Sequence, residues 1–232
     1  MNILIMGPAG AGKGTMSDRI IQDFDIPHIS TGDMLRESVR DNTELGREAK
    51  SYMDSGRLVP DELINALVEE RIQKDDAKKG YLLDGYPRTL AQAENFEKIS
   101  NSIGKAIDIV IALDVEFDTL ARRITGRRVC PNCKEIYHID SKPTAVPGIC
   151  DKCGTKVIQR SDDTIEQLKV RMEEYENSTK PVIDYYSNKG LVVHINASQT
   201  PEAVYAQVKE ALGKNTFEYY IKAKEVEWDN YR

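Results

Sequence analysis

Residues 1–15, MNILIMGPAGAGKGT, decide the fold class of this chain. The first six residues have the apolar pattern of a short buried strand, and a glycine-rich loop follows at once. From Gly7 the loop matches the phosphate-binding pattern G-x-x-x-x-G-K-S/T, with Gly12 and Lys13 at the expected positions. Where the pattern places a Mg²⁺-binding hydroxyl, the chain has Gly14, and a threonine follows one position late. The strand, loop and helix start together predict a site for nucleotide phosphates.

Apolar and amphipathic segments alternate along most of the chain. Strands are predicted at residues 1–6, 26–30, 80–87 with a terminal turn, 106–115 and 191–197. Helices are predicted at about residues 13–24, 31–40, 44–55, 60–72, 117–124 and 201–212. Because strands that alternate with helices form a parallel sheet covered on both faces, the sequence predicts an α/β fold.

Length and composition limit the possible functions. A chain of 232 residues is long enough for one sizeable core with at most one or two inserted subdomains. A net charge of −6 gives no general attraction to nucleic acid or to an anionic membrane, so an anion site must be a local cluster of arginines. No apolar run approaches the roughly 18 residues of a membrane span. The chain starts without a basic segment, so we expect no signal peptide and a cytoplasmic location.

All four cysteines lie within a segment, at about residues 125–161, that interrupts the alternating pattern. Their spacing, C-x2-C-x16-C-x2-C, is typical of a four-cysteine zinc site, with disulfides as the alternative. The cysteines are Cys130, Cys133, Cys150 and Cys153. We interpret the segment as an inserted subdomain. The tail from Lys214 contains five of the 16 aromatic residues, including Trp228, and is expected to dock on the core as a helix.

Two further features indicate phosphoryl transfer. Asp84 is at the carboxyl end of a buried strand, where a carboxylate orients Mg²⁺ or its waters in phosphate-loop enzymes, although Asp-Gly is also a common turn. Several arginines are expected to converge on a substrate, because guanidinium groups match phosphate oxygens. These are Arg36, Arg57, Arg88, Arg123, Arg127, Arg160 and Arg171.

No catalytic base is evident in the sequence. The histidines at positions 28, 138 and 194 are scattered, and a structural role is expected for each. A kinase that phosphorylates an alcohol needs a base, whereas a phosphate monoester is already ionised at neutral pH. The sequence therefore favours transfer from one phosphate to another.

The motifs GPAGAGKGT, STGDMLR, GRLVPDEL, LLDGYPRT, ITGRR and QRSDD, in this order, resemble the adenylate kinase family in its long-lid form with a metal knuckle. The resemblance covers residues 1–212 and implies the nucleoside monophosphate kinase fold. It implies the reaction Mg·ATP + AMP ⇌ 2 ADP. In this family a glycine follows the loop lysine, so Gly14 is expected. The resemblance implies that Mg²⁺ is held mainly by nucleotide phosphates and waters, with Asp84 anchoring the waters.

The resemblance also assigns roles to individual residues. It implies an ATP site with Gly10, Ala11, Gly12, Lys13, Gly14, Thr15, Arg123, Arg127, Ile136, Tyr137 and Gln199. It implies an AMP site with Thr31, Arg36, Arg57, Leu58, Val59, Gly85, Tyr86, Pro87, Arg88, Gln92, Arg160 and Arg171. The catalytic residues would be Lys13, Asp84, Arg88, Arg123, Arg160 and Arg171. Gln92 would read the adenine edge, although Thr89 and Gln92 could instead form only a capping box, and Thr31 could be only an N-cap. Asp162 and Asp163 are expected to pair with Arg160 and Arg171.

The same resemblance divides the chain into functional units. Residues 1–29, 60–125 and 164–212 would form the core, 30–59 an AMP-binding flap, 126–163 a lid, and 213–232 a C-terminal extension. Zn²⁺ would be structural, because four thiolates leave no open coordination position. The expected partners are ATP, AMP and ADP, with no nucleic acid or membrane, and the enzyme is expected to be a monomer.

Two other interpretations remain. A kinase of another monophosphate, such as UMP/CMP or GMP, is disfavoured by the long metal-bearing lid and by Gln92. A phosphate-loop switch whose knuckle binds RNA or a protein would need a basic, aromatic knuckle surface. The knuckle has three lysines, no arginine and the single aromatic Tyr137, so this feature is weak.

Overall fold

The computed structural model describes residues 1–213. The prediction of a docked helix in the aromatic tail falls on residues 214–232, outside the described part of the chain. No helix within residues 1–213 has the length and apolar character that a membrane span requires.

Within the described residues, five strands form one parallel sheet in the order β2-β3-β1-β4-β7. The strands are β1 (Asn2–Met6), β2 (His28–Ser30), β3 (Tyr81–Asp84), β4 (Ile109–Asp114) and β7 (Val192–Asn196). Each lies inside a segment where the sequence predicted a strand. The α/β fold with a parallel sheet is therefore confirmed.

Helices connect the strands and cover the sheet. They are α1 (Lys13–Phe24), α2 (Thr31–Arg40), α3 (Glu44–Asp54), α4 (Asp61–Ile72), α5 (Leu90–Ser102), α6 (Phe117–Gly126), α7 (Ile165–Glu174), α8 (Lys180–Ser187) and α9 (201–213). Helices α5, α7 and α8 were not predicted from the sequence pattern. A π-helical turn, Tyr175–Thr179, joins α7 to α8.

The two faces of the sheet build two cores. Successive side chains of a strand point to opposite faces, and β1 shows this directly. Leu4 and Met6 pack with residues of α2 to α5 and α8. Ile3 and Ile5 pack with residues of α1, α6 and α9. Because both faces are buried, the central strands β1, β3 and β4 are mostly apolar without alternation, as in parallel sheets in general.

The carboxyl ends of the central strands meet at one edge. Asp84, the last residue of β3, is in register with Ile5 of β1 and with Ser30 of β2. The phosphate-binding loop follows β1, and α2 begins directly after β2. Ligands of open α/β sheets bind at this edge.

Between α6 and α7 the chain leaves the main sheet. The short strands β5 (Arg127–Val129) and β6 (Ile136–His138) pair antiparallel, and isolated bridges such as Val129 to Ile158 extend this pairing. Cys130, Tyr137, Cys150 and Val157 form a small buried cluster here. So small an apolar cluster contributes little to the folding free energy of this segment, and a bound metal would add to it.

Candidate active site

The phosphate-binding loop adopts a conformation that its glycines permit. Gly12 caps the N-terminus of α1 with φ of 100°, and Gly10 has φ of 84°. These positive φ values favour glycine. A Cβ atom on Gly7, where φ is 145°, would lie 2.8 Å from the Leu113 carbonyl oxygen, so the loop packs closely against β4. The loop thus directs the N-terminal N–H groups of α1 toward the carboxyl edge of the sheet, where an anion is stabilised.

Lys13 reaches back over this loop. Its Nζ atom donates to the carbonyl oxygens of Gly7 at 2.9 Å and Pro8 at 3.1 Å. Burial lowers the pKa of Lys13 to about 8, Asp84 opposes this, and the cations of Arg88, Arg127 and Arg171 add to it. An ammonium group surrounded by other cations is in a site built for a polyanion.

Asp84 lies between positive groups at the end of β3. Its Oδ2 atom is 3.6 Å from Nε2 of His28. Burial would raise the pKa of Asp84, but His28, Lys13 and Arg88 lower it below the ordinary value. In return, Asp84 raises the pKa of His28 although burial opposes this. The predicted position of Asp84 is confirmed, and it is held as a carboxylate, whereas the contact with His28 was not foreseen.

Next to this edge lies a cavity of about 580 Å³, including its open mouth. Its walls come from α2, the 56–59 segment, the loop after β3, and α7. Nine of the residues assigned to AMP by resemblance line it: Thr31, Arg36, Arg57, Leu58, Val59, Gly85, Arg88, Gln92 and Arg171. Gly85 is tightly enclosed, since a Cβ atom there would lie 2.8 Å from Thr31 Oγ1.

Tyr86 and Pro87, also assigned to AMP, directly follow Gly85 of the cavity wall. Tyr86 is buried in the core, stacks edge-on against Phe96, and donates its hydroxyl to Asn65 Oδ1 at 2.7 Å. The bond between Tyr86 and Pro87 is cis. Thr31 donates its hydroxyl to the Gly85 carbonyl oxygen at 2.9 Å. It is not the N-cap of α2, because Ser30 takes that position.

The side-chain amide of Gln92 is held from two sides. Its Oε1 atom accepts from the Arg88 N–H at 2.7 Å, and its Nε2 atom donates to Asp61 Oδ1 at 2.6 Å. Thr89 caps α5 by accepting from the Gln92 N–H at 3.1 Å. The Thr89 half of the capping box therefore exists, but the Gln92 side chain accepts from the Arg88 N–H and not from that of Thr89, and Gln92 also lines the cavity.

Arginines and carboxylates pair across the site. Arg171 donates to Asp162, and Arg127 donates to the fully buried Asp163 through Nε at 2.8 Å and through Nη2. The expected pairing of Asp162 with Arg171 is confirmed, whereas Asp163 pairs with Arg127 and not with Arg160 or Arg171.

Arg160 lies close to other cations. Its Nη2 atom is 3.6 Å from Asp33 Oδ1, and Asp33 also accepts from Arg36. Burial, together with Arg36 and Arg127, lowers the pKa of Arg160 to about 10. Asp33 has no distinctive sequence signal, since an acidic residue in the first turn of a helix is common.

Arg123 joins the phosphate-binding loop to the loop between β7 and α9. Its guanidinium donates to the Ala11 carbonyl oxygen at 3.3 Å and to that of Ala197 at 2.8 Å. It also reaches the Gln199 carbonyl oxygen at 3.4 Å. Arg123 and the Gln199 backbone, both assigned to the ATP side by resemblance, thus lie together beside the phosphate-binding loop.

The side chains of Ile136 and Tyr137, in the segment that contains the cysteines, point to different places. Ile136 extends over the phosphate-binding loop, where its Cδ1 atom is 3.1 Å from the position of a Cβ atom on Gly14. The Tyr137 ring is buried beside the cysteines, and its hydroxyl lies 3.4 Å from Cys150 Sγ. The side chain of Tyr137 therefore faces the sulfur cluster.

The four cysteine sulfurs converge. All lie within 4.8 Å of one another, with separations of 3.4 Å from Cys130 to Cys153 and 3.5 Å from Cys133 to Cys150, and all four cysteines are free. A tetrahedron with metal–sulfur bonds of ~2.3 Å has edges of ~3.8 Å, so the arrangement fits a four-thiolate metal site.

Two equivalent turns produce this arrangement. In the first, Lys134 N–H donates to the Cys130 carbonyl oxygen at 3.1 Å, and in the second, Gly154 N–H donates to that of Cys150 at 2.9 Å. Lys134 and Gly154 both have a left-handed backbone, with φ of 65° and 72°. The C-x-x-C spacing thus forms two matching halves of one site.

A phosphate-binding loop, a cavity beside it and the arginines between them define a phosphotransferase of the nucleoside monophosphate kinase class. The adenylate kinase family model matches residues 5–191. The adenylate kinase of Thermoanaerobacter sp. (strain X514) is 52% identical over 213 residues, which are 92% of this chain and 98% of that protein. The adenylate kinase of Bacillus subtilis (strain 168) is 50% identical over 213 residues, with the same coverage. The chain therefore belongs to the adenylate kinase family, and its activity is that of an adenylate kinase.

Proposed function

We propose that this chain transfers the γ-phosphoryl group of Mg·ATP reversibly to AMP, giving two ADP, with the residue roles described below. One observation carries these assignments. Arg88 lines the cavity beside α2, and its charge acts on Lys13 of the phosphate-binding loop and on Asp84. A phosphate in the cavity would therefore meet the terminal phosphate of a nucleotide in the loop.

The cavity is the proposed AMP site. Arg36, Arg88 and Arg171 supply cationic groups in its wall, and Gln92 supplies an amide that can bind the edge of a base. The 57–59 segment supplies backbone and side-chain contacts in the same wall. Tyr86 and Pro87 shape the turn between β3 and α5, and Arg160 approaches from the side of Asp33.

The loop after β1 is the proposed ATP site. Residues 10–15 would bind the phosphates through backbone N–H groups, and Lys13 would add its charge. Arg123 and the Gln199 backbone lie on one side of this loop, and Ile136 covers the other. Arg127 and Tyr137 complete the set assigned to ATP, Arg127 through its charge near Lys13.

The chemistry follows from these positions. An oxygen of the AMP phosphate attacks the γ-phosphorus, and the bond from this phosphorus to the β,γ-bridging oxygen breaks. The electron pair stays on the β-phosphate of the departing ADP. The attacking oxygen is already ionised, so no residue has to remove a proton. Lys13, Arg88, Arg123, Arg160 and Arg171 would stabilise the charge on the transferring group.

Adenylate kinases use Mg²⁺ with ATP, and the residues here fit that ion. The Asp84 carboxylate and the hydroxyl of Thr15 are oxygen donors of the kind that Mg²⁺ prefers, directly or through waters. Bound Mg²⁺ neutralises phosphate charge during transfer. Asp84 would hold the hydrated ion from the carboxyl end of β3.

We also propose that the four-cysteine cluster binds Zn²⁺ as a structural ion. Cys130, Cys133, Cys150 and Cys153 supply four thiolates, which leave no coordination position for a substrate. We propose that residues 30–59 act as a flap over AMP and residues 126–163 as a lid over ATP. Their closure would keep water away from the transferring phosphoryl group. The contact between Asp33 and Arg160 supports this division, because it joins the two segments.

We propose that the enzyme works as a monomer in the cytoplasm, with residues 1–29, 60–125 and 164–212 as its core. The unpaired cysteines support a reducing compartment. Light scattering at micromolar concentration would measure the oligomeric state, and fractionation of cells would measure the location. A stable dimer, or a protein found outside the cytoplasm, would overturn the corresponding proposal.

The test of the reaction is ADP formation from Mg·ATP with AMP, CMP, UMP or GMP offered separately. A reaction with ATP alone measures hydrolysis. We expect turnover with AMP, much less with the other acceptors, and little hydrolysis. Preference for a pyrimidine nucleotide would overturn the assignment of Gln92, and ATP hydrolysis as fast as transfer would overturn the role of the lid.

A further inference from the structure

The two partners of the Gln92 amide fix its orientation. A backbone N–H such as that of Arg88 can only donate, and a carboxylate such as that of Asp61 can only accept. Oε1 therefore faces Arg88 at 2.7 Å, and Nε2 faces Asp61 at 2.6 Å. The reverse orientation would place two donors together on one side and two acceptors on the other. The amide is therefore not free to turn over.

Asp61 is itself held firmly. It is the first residue of α4, directly after the 57–59 segment of the cavity wall, and is half-buried. Its second oxygen, Oδ2, accepts from the hydroxyl of Thr89 at 3.0 Å. A carboxylate in the first turn of a helix is also stabilised by the helix dipole. Both carboxylate oxygens of Asp61 thus accept hydrogen bonds from residues at the start of α5, Thr89 and Gln92.

This orientation has a chemical consequence. After its two bonds, the amide retains one hydrogen on Nε2 and one lone pair on Oε1. The 6-amino edge of adenine offers a donor at N6 beside an acceptor, whereas a 6-oxopurine offers an acceptor at O6 beside a donor at N1. An amide fixed in one orientation can match only one of these two patterns.

We propose that Asp61 is a specificity-determining residue, which sets the orientation of the Gln92 amide and thereby selects a 6-amino over a 6-oxo purine monophosphate. It is a positioning residue, because it acts through Gln92. The inference rests on the proposed function, in which Gln92 reads the base of AMP.

The test compares kcat/KM for AMP with kcat/KM for IMP, which differ only in the 6-amino and 6-oxo pattern. Asp61→Ala removes the acceptor of the Nε2 hydrogen bond. We expect the AMP-to-IMP ratio to fall at least about tenfold, as for the loss of a hydrogen bond to a charged acceptor. Asp61→Asn keeps a carbonyl oxygen as acceptor in the same place, and we expect it to retain the ratio to within about threefold.

A control variant and a second substitution make the test specific. Glu62→Gln removes the neighbouring exposed carboxylate in the same helical turn and should leave the ratio unchanged. If Asp61→Ala does not fold, Asp61→Ser replaces it, since serine suits the start of a helix but is too short to reach Gln92. If Asp61 had a purely structural role, its substitution would lower kcat/KM for AMP and for IMP alike and leave their ratio constant.

Gln92→Ala separates this inference from the proposed function. If Gln92→Ala lowers the ratio and neither Asp61→Ala nor Asp61→Ser does, Gln92 reads the base and the role of Asp61 is overturned. If none of the three variants changes the ratio, the base-reading role of Gln92 fails as well, and the inference fails with it. A fall in the ratio for Gln92→Ala and Asp61→Ala, with retention in Asp61→Asn, supports both.

Discussion

The side chain of Ile136 sits against the backbone of Gly14. Its Cδ1 atom would lie 3.1 Å from a Cβ atom on this glycine, closer than ordinary carbon–carbon contact. Gly14 lies in the first turn of α1, so a side chain there would be limited by Ile136 and not by the backbone. The departure from the usual phosphate-loop pattern thus coincides with the place where the cysteine-bearing segment covers the loop.

This contact predicts a double-mutant effect. Gly14→Thr restores the usual pattern but adds a branched side chain under Ile136. We expect kcat/KM for ATP to fall by at least about tenfold, which corresponds to ~1.4 kcal/mol, because the cysteine-bearing segment would close less well over the loop. Ile136→Ala in the same background should recover part of the loss, because it removes the obstructing group. An equal loss in the single and the double variant would show that Ile136 is not the obstacle.

Removal of metal from the cysteine cluster should unfold the small segment around it before the main sheet. Residues 126–163 have only a small apolar cluster, so a four-thiolate ion would supply much of their stability. We expect a strong chelator to lower the thermal unfolding midpoint and to increase hydrogen exchange in this segment, with little change in β1 and β4. Metal analysis should give about one ion per chain. Uniform exchange across the whole chain would contradict this expectation.

The pKa of Lys13, about 8, predicts that ATP binding takes up a proton in mildly alkaline solution. A bound polyphosphate favours the charged amine and raises this pKa. At about one pH unit below this pKa the amine is already charged and uptake is small, whereas near pH 8.5 most of the free enzyme gains a proton on binding. Calorimetry in two buffers of different ionisation enthalpy measures this uptake. Lys13→Arg, which stays charged, should abolish it, and equal uptake by this variant would assign the proton to another group.

Much of the fold and part of the site could be predicted from the sequence. The strand and loop of residues 1–15 and the alternation of elements indicated the parallel sheet, because buried strands are continuously apolar. The cysteine spacing predicted a cluster that the structure confirms. Helices α5, α7 and α8 were not predicted. In α7 only Leu168 is fully buried, so its apolar pattern is faint.

The contacts that position the site could not be predicted in the same way. Asp61 and Gln92 are 31 positions apart, and Arg160 and Asp33 are joined only by tertiary packing. His28 has no motif around it, yet it lies beside Asp84. Such contacts depend on which loops meet at the edge of the sheet, and local periodicity contains no information about that.

The pair of Arg127 and Asp163 predicts a large loss of stability when it is broken. Asp163 is fully buried and accepts two hydrogen bonds from the guanidinium. Asp163→Asn leaves the Arg127 charge without its counterion, which costs about 3–5 kcal/mol when the pair is buried. Denaturant unfolding should show this loss. Asp140→Asn, at an exposed carboxylate of the same segment, should change stability by less than ~0.5 kcal/mol. Similar effects for the two variants would mean that another carboxylate compensates the Arg127 charge, and Asp162 is a candidate because its charge also acts on Arg127.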